Sequence, residues 1–194
     1  MKGFNLSHAI CRNYNIEFWI FCHGQKIESD INQTKNPEDI SVLFFFATDC
    51  PITQKYMSRV KEIVSEYSSE QISFTAYFPS PLDKKKLKTF RKEYNVSKSL
   101  EFIFDKDQHI TEKLNAMVTP EVFVVNSNSV VVYSGAIDNW FYELGRYRLE
   151  TNEHYLKEAL SSLRNGEAPV LQRTEAIGCV IQREIEKPSQ HHHE

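Results

Sequence analysis

Apolar residues along this chain alternate between two spacings, and the switches between them predict the elements. Residues 42–46 form an unbroken apolar run, the pattern of a strand buried on both faces. After a short polar turn, Ile52, Tyr56, Val60, Ile63 and Tyr67 recur at intervals of three and four, which predicts an amphipathic helix over 52–68. The period then falls to two. Ile72, Phe74, Ala76 and Phe78 alternate with Ser73, Thr75 and Tyr77, a strand that Pro79-Ser80-Pro81 ends. Asp83 is placed to cap a helix running to about Tyr94. A short strand is expected over 101–104 and a short helix over 105–115. Two β-rich runs, 121–126 and 130–136, flank the turn residues Ser127-Asn128-Ser129. Residues 140–148 read as an aromatic and charged insertion. Thr151 is then placed to cap a last helix bearing Tyr155, Leu156, Ala159, Leu160 and Leu163 on one face, closed by Asn165-Gly166.

The ends carry less pattern. Residues 16–21 have β-type composition, and His23-Gly24-Gln25 turns them into an edge hairpin ending near Ile27; residues 28–39 read as a loop. Beyond Gly166 periodicity stops, so 167–194 is expected to be a tail. The division is therefore 1–28 as an N-terminal extension, 29–166 as one α/β domain and 167–194 as a tail carrying Cys179. Strand, helix, strand, helix, hairpin, helix gives a mixed sheet flanked by helices, its first crossover right-handed.

Composition narrows the function classes. The 194 residues are 41% apolar and 25% charged, ordinary for a globular chain able to bury a core. A net charge of −3 and the lack of a basic stripe interleaved with aromatics argue against nucleic acid as a partner. Lys84-Lys85-Lys86 reads as the solvated side of a helix whose other side carries Leu87 and Phe90. No apolar run approaches the roughly 20 residues of a membrane span, and residues 16–22 make a poor signal peptide, short and interrupted by Glu17. The four cysteines are too few for a disulfide scaffold and lack metal-ligand spacing, so no metal or cofactor is expected.

One of those cysteines sits where chemistry is favoured. Cys50 lies just past the buried run, and Pro51 suits the first helical position because its φ fits and its missing N–H had no partner there. Unpaired amides and the positive helix end favour a thiolate at that point. Asp49 works against it, since a neighbouring carboxylate raises a thiol pKa. A small buried hydrophobe is the competing reading of Cys50. Thr53, one helical turn on, is placed to donate a hydroxyl proton to the sulfur or to serve the helix end.

The strand, Cys50-Pro51, amphipathic helix, strand, and later Val118-Thr119-Pro120-Glu121 before another strand resemble the thioredoxin-like superfamily. Within it the chain is similar to the redoxin branch, which holds peroxiredoxin-like (alkyl hydroperoxide reductase–thiol-specific antioxidant) proteins and exported thiol–disulfide oxidoreductases. Tyr133-Ser134-Gly135-Ala136-Ile137-Asp138, Arg148, Thr151 and Gly178-Cys179 extend the likeness over about residues 42–181. The resemblance implies a thioredoxin-like fold, a cis peptide before Pro120 facing Cys50, and Thr119 and Glu121 beside the sulfur, where Glu121 exchanges protons or stands solvated. It also implies Arg148 near the thiolate, against a merely structural arginine; protein thiols or disulfides, a small thiol or a peroxide as partners; an external reductant; and a periplasmic or cell-envelope location. The departures are specific. Thr53 replaces the second cysteine of C-x-x-C, and Leu43 and Ala47 stand where a peroxidatic P-x-x-x-T-x-x-C motif has Pro and Thr.

The sequence therefore supports a thiol–disulfide oxidoreductase or redox sensor with Cys50 as its nucleophile. The alternatives are a non-catalytic thioredoxin-like module that binds a partner chain, and a weak peroxidase. With position 53 lacking a thiol, Cys179 is the candidate resolving partner; an outside thiol, or Cys179 left free or paired with Cys11 or Cys22, are the other arrangements. Gly178 is expected to give the backbone freedom for a turn just before it.

Overall fold

The computed structural model describes residues 39–69, 71–79 and 84–183; the expected N-terminal hairpin, Asp83, Cys11 and Cys22 lie outside them. The elements are β1 (Ile40–Phe45), α1 (Pro51–Tyr67), β2 (Ile72–Phe78), α2 (Lys84–Glu93), β3 (Leu100–Phe104) and α3 (His109–Lys113). They continue as β4 (Val118–Thr119), β5 (Glu121–Asn126), β6 (Val131–Gly135), β7 (Phe141–Glu143), β8 (Arg146–Tyr147), α4 (Tyr155–Arg164) and β9 (Cys179–Val180). Five strands form one mixed sheet in the order β3-β2-β1-β5-β6. β1, β2 and β3 are parallel, and β5 runs antiparallel to both β1 and β6. This is a thioredoxin-like α/β fold.

β1 is central because it is apolar on both faces. Val42 and Phe44 face one core with Tyr56, Val60 and Ile63 of α1, Leu156 and Leu160 of α4, and Phe90 of α2. Leu43 and Phe45 face a second core with Phe123, Ile110 of α3 and Ile181 from the tail. Burying each phenylalanine contributes about 2–3 kcal/mol, and Phe44, Phe45 and Phe46 are all fully buried. α1 thus starts directly off the best-anchored strand of the sheet.

Three expectations need correction. The helix expected over 105–115 shrinks to His109–Lys113, because the Asp105 carboxylate stays outside it and accepts the amides of Ile110 and Thr111 at 3.4 and 2.8 Å. The last helix begins not after Thr151 but after His154, where Glu158 reaches back to the His154 amide at 3.0 Å. Thr151 instead takes Arg59, its hydroxyl 2.5 Å from the guanidinium. The tail, finally, is part of the fold. Ser134 of β6 donates its amide to Gln172 at 2.9 Å and accepts the Thr174 amide at 3.0 Å. That approach requires a glycine at 135, whose φ is +129 and whose Cβ would sit 2.1 Å from the Thr174 carbonyl oxygen. Further on, β9 pairs antiparallel with β4, Thr119 opposite Cys179 and Val118 opposite Val180.

Candidate active site

The turn between β1 and α1 is held by the Cys50 amide on the Ala47 carbonyl at 3.3 Å and by Gln54 Nε2 on the Thr48 carbonyl at 2.8 Å. Cys50 is the N-cap residue of α1, with extended backbone, and Pro51 occupies the first turn. Its sulfur points inward and is only 2% exposed. The Cys50 thiol donates to the carbonyl oxygen of Thr119 at 3.0 Å, and the bond from Thr119 to Pro120 is cis. The Thr53 amide and hydroxyl and the Cys179 thiol and amide are the polar groups around the sulfur that favour its ionised form.

These partners act in opposite directions. Burial pushes the Cys50 thiol up, but the donors from Cys179 and Thr53 more than offset it and hold the thiol below its ordinary value. The Thr119 carbonyl accepts the thiol proton and so stabilises only the protonated form. Thr53 Oγ1 is fully buried and makes no hydrogen bond of its own, so its proton is available to turn toward a charged sulfur. Cys179 shifts the other way. Burial, its hydrogen bond to Cys50, the charge of Cys50 and that of Asp49 push its thiol up to about 12. One sulfur is biased to attack and its neighbour to keep its proton. Both are free thiols.

The residues singled out in the sequence divide into two groups. Cys50, Thr53, Thr119-Pro120 and Cys179 converge at one point, with Pro51 exposed at the start of α1. Glu121 and Arg148 are engaged elsewhere. The Glu121 carboxylate accepts the amides of Met117 at 2.7 Å and Val118 at 3.4 Å, bracing β4, and desolvation raises its pKa against those hydrogen bonds. Arg148 donates to the Asn139 carbonyl at 2.5 Å and lies over the Tyr142 ring, which fixes it to the β7–β8 hairpin. That hairpin is what the aromatic insertion became: a short β ribbon whose Trp140 and Phe141 pack against Tyr56.

One contributor works otherwise than the sequence suggested, and a second had no sequence signal. Gly178 has no left-handed backbone; its part is close approach, since a Cβ there would lie 2.3 Å from the Thr119 carbonyl oxygen. Ile181 anchors the strand end, its side chain in the second core and its amide on the Met117 carbonyl at 2.9 Å. Both act on residues some sixty positions away, which periodicity does not register. Among the described residues there is no cluster of side chains suited to a metal and no helix long and apolar enough to cross a membrane.

Known proteins with this architecture place the chain further. An uncharacterized conserved protein from Geobacillus kaustophilus superposes with a TM-score of 0.66 at 19% identity, covering 78% of this chain and 79% of its own. A hypothetical protein from Sinorhizobium meliloti gives a TM-score of 0.66 at 16% identity, covering 76% and 81%. At these identities the likeness is one of fold. No curated protein matches. The family model of the AhpC/TSA family matches residues 21–134, more than half of the chain, and with it the strand, turn and helix that carry Cys50. This chain therefore belongs to the AhpC/TSA family.

Proposed function

We propose that the protein performs thiol–disulfide exchange with Cys50 as the attacking thiolate and Cys179 as the resolving thiol. The family and the fold support a thiol–disulfide oxidoreductase-like role with thiol or peroxide partners. The observation that carries the finer reading is the pair itself. Cys50, biased toward thiolate at a helix start, lies beside a second cysteine that the pairing of β9 with β4 holds in register.

The sequence of bonds follows from the two shifts. The Cys50 thiolate attacks one sulfur of an oxidised partner RSSR, forming Cys50–S–S–R and expelling RS⁻, which takes up a proton. With Cys50 no longer charged, part of what held the Cys179 proton is gone. Cys179 then ionises and attacks the Cys50 sulfur, expelling the second RS⁻ and leaving a Cys50–Cys179 disulfide. Two electrons pass from the pair to RSSR. With a hydroperoxide ROOH the first step instead gives a Cys50 sulfenic acid and ROH, and Cys179 condenses with it to release water. An external dithiol returns the pair to its reduced state.

A chain specialised only for holding a partner has no use for this second thiol, and its open strand edge would be the binding surface; here β9 covers that edge. Non-reducing peptide mapping after mild oxidation tests the proposal. Recovery of the peptides containing Cys50 and Cys179 as one linked species is expected, with loss of cycling in Cys179→Ser. If Cys50 is recovered linked only to added thiol, and Cys179→Ser cycles normally, Cys179 is not the resolving residue.

A further inference from the structure

The strand edge beside a nucleophilic sulfur is where an extended polypeptide would dock, because its backbone can add to the sheet while its own sulfur meets the nucleophile. In this chain the edge of β4 already has an occupant. β9 pairs with it residue for residue, Thr119 opposite Cys179, and the segment is fastened on both sides. Upstream, the Thr174 hydroxyl accepts the Ala136 amide at 3.0 Å and lies 2.7 Å from the Tyr133 hydroxyl. Downstream, Ile181 is 6% exposed in the second core, Gln108 donates to the Gln182 carbonyl at 2.7 Å and Arg183 to the Ala116 carbonyl at 2.7 Å.

We propose that this strap selects the substrate by size: Gly178 and Ile181 seat the chain's own strand on the β4 edge, so that Cys50 exchanges with low-molecular-weight disulfides and excludes polypeptide disulfides. The inference rests on the reading of Cys50 as the nucleophile. Gly178 is the specificity-determining contact, because any side chain there meets the Thr119 carbonyl and lifts the strand. Ile181 holds the far end. A small disulfide needs only side-chain motion around a sulfur already held in place; a polypeptide needs β9 to leave first. Glutathione-sized partners also match the second step, since Cys179 is in position to displace them without leaving its strand. The electron balance is that of the exchange above, two electrons from the cysteine pair to the small disulfide and two small thiols released.

Two reagents of identical leaving group make the comparison: the mixed disulfide of cysteamine with 2-thiopyridine, and an extended peptide whose single cysteine carries the same thiopyridyl group. They are offered to the full chain carrying Cys11→Ser and Cys22→Ser, and the signal counted is the thiopyridone release lost in Cys50→Ser. The small reagent is expected to react about a hundredfold faster than the peptide, because the strand-displaced state is a minor population. Gly178→Val and Ile181→Asp are expected to bring that ratio to about tenfold or less by raising the displaced population. Equal rates for the two reagents in the unsubstituted strap overturn the inference while leaving Cys50 as nucleophile. Absence of release from either reagent, in the starting chain and in both strap variants, overturns the reading of Cys50 and this inference with it. Should both substitutions unfold the chain, a series of peptides of increasing length decides: a steep fall in rate with length supports the strap, and a flat profile overturns it.

Discussion

Thr53 stands where a C-x-x-C motif has its second sulfur, and the fold gives its hydroxyl nothing else to do. It is fully buried, lacks a hydrogen-bond partner and faces the Cys50 sulfur together with its own amide. The chain thus keeps a donor at the helix start, and in the proposed exchange the second thiol is that of residue 179. Replacing the hydroxyl by a methyl in Thr53→Val removes one of the groups that favour thiolate. The rate of Cys50 alkylation at neutral pH should fall several-fold, with little change in Tm because the volume is kept and an unpartnered polar atom is removed. The order of reaction follows the signs of the two shifts. Cys50 lies below the ordinary thiol value and Cys179 is pushed up to about 12. As pH rises from neutral, iodoacetamide should modify Cys50 first, and Cys179 only after Cys50 has lost its charge to the reagent. Mass mapping of the alkylated peptides checks this, and simultaneous labelling of both thiols near pH 8 would contradict the asymmetry.

At the scale of elements, α1 is fixed to the segment between β6 and α4 by a polar cluster that periodicity does not reveal. Asp138 accepts the Tyr56 hydroxyl at 2.7 Å and the Trp140 amide at 2.9 Å, and it forms an ion pair with Arg59, whose guanidinium also reaches Thr151. Burial, the charge of Asp138 and the hydrogen bond to it raise the Tyr56 pKa, so the phenol stays protonated and donating. Asp138→Ala removes the carboxylate that Tyr56 and Arg59 share, leaving Tyr56 only the residue-138 carbonyl at 3.5 Å and Arg59 only the Thr151 hydroxyl, and should destabilise the chain by about 2 kcal/mol, read from the denaturant midpoint at unchanged m-value. Because the cluster holds α1, the Cys50 alkylation rate should change as well. The same cluster explains why Thr151 does not start the last helix: its hydroxyl is committed to Arg59.

For the whole molecule, the two cysteines stand at the central strand's end and in the tail segment that pairs with β4. If the two thiols form a disulfide, the loop from residue 50 to residue 179 is closed, which restricts the unfolded chain by roughly 4–5 kcal/mol in the entropy model. The native strand pairing already places Thr119 against Cys179 and Thr119 against Cys50, so little of that gain is lost to rearrangement. The oxidised protein should therefore melt about 10 °C above the reduced one, and the difference should vanish in Cys179→Ser. Calorimetry of the two redox forms makes the comparison, and equal Tm values would mean that this loop is never closed.

The sheet was legible from the sequence because each strand's burial is written in its own residues. An apolar run on both faces means a central strand, as in β1, and strict alternation gave β2 its observed limits. The position of Cys50 at a helix start was legible for the same local reason: Pro51 and the spacing from Ile52 fix where the turn ends. Contacts made across the fold left no such trace. Glu121 braces β4 through the Met117 and Val118 amides, Arg148 belongs to a hairpin, and the tail from Gln172 to Arg183 has no period, because its order comes from edges of strands it meets rather than from a face of its own. The sequence by itself determined the main strands, the helix that starts at Pro51 and the place of Cys50 before it, since short-range periodicity and the Cys-Pro start decide those. Only the tertiary structure decided that Cys179 meets Cys50, because a backbone edge accepts any strand whose shape allows approach, and that allowance rests on one missing Cβ at Gly178.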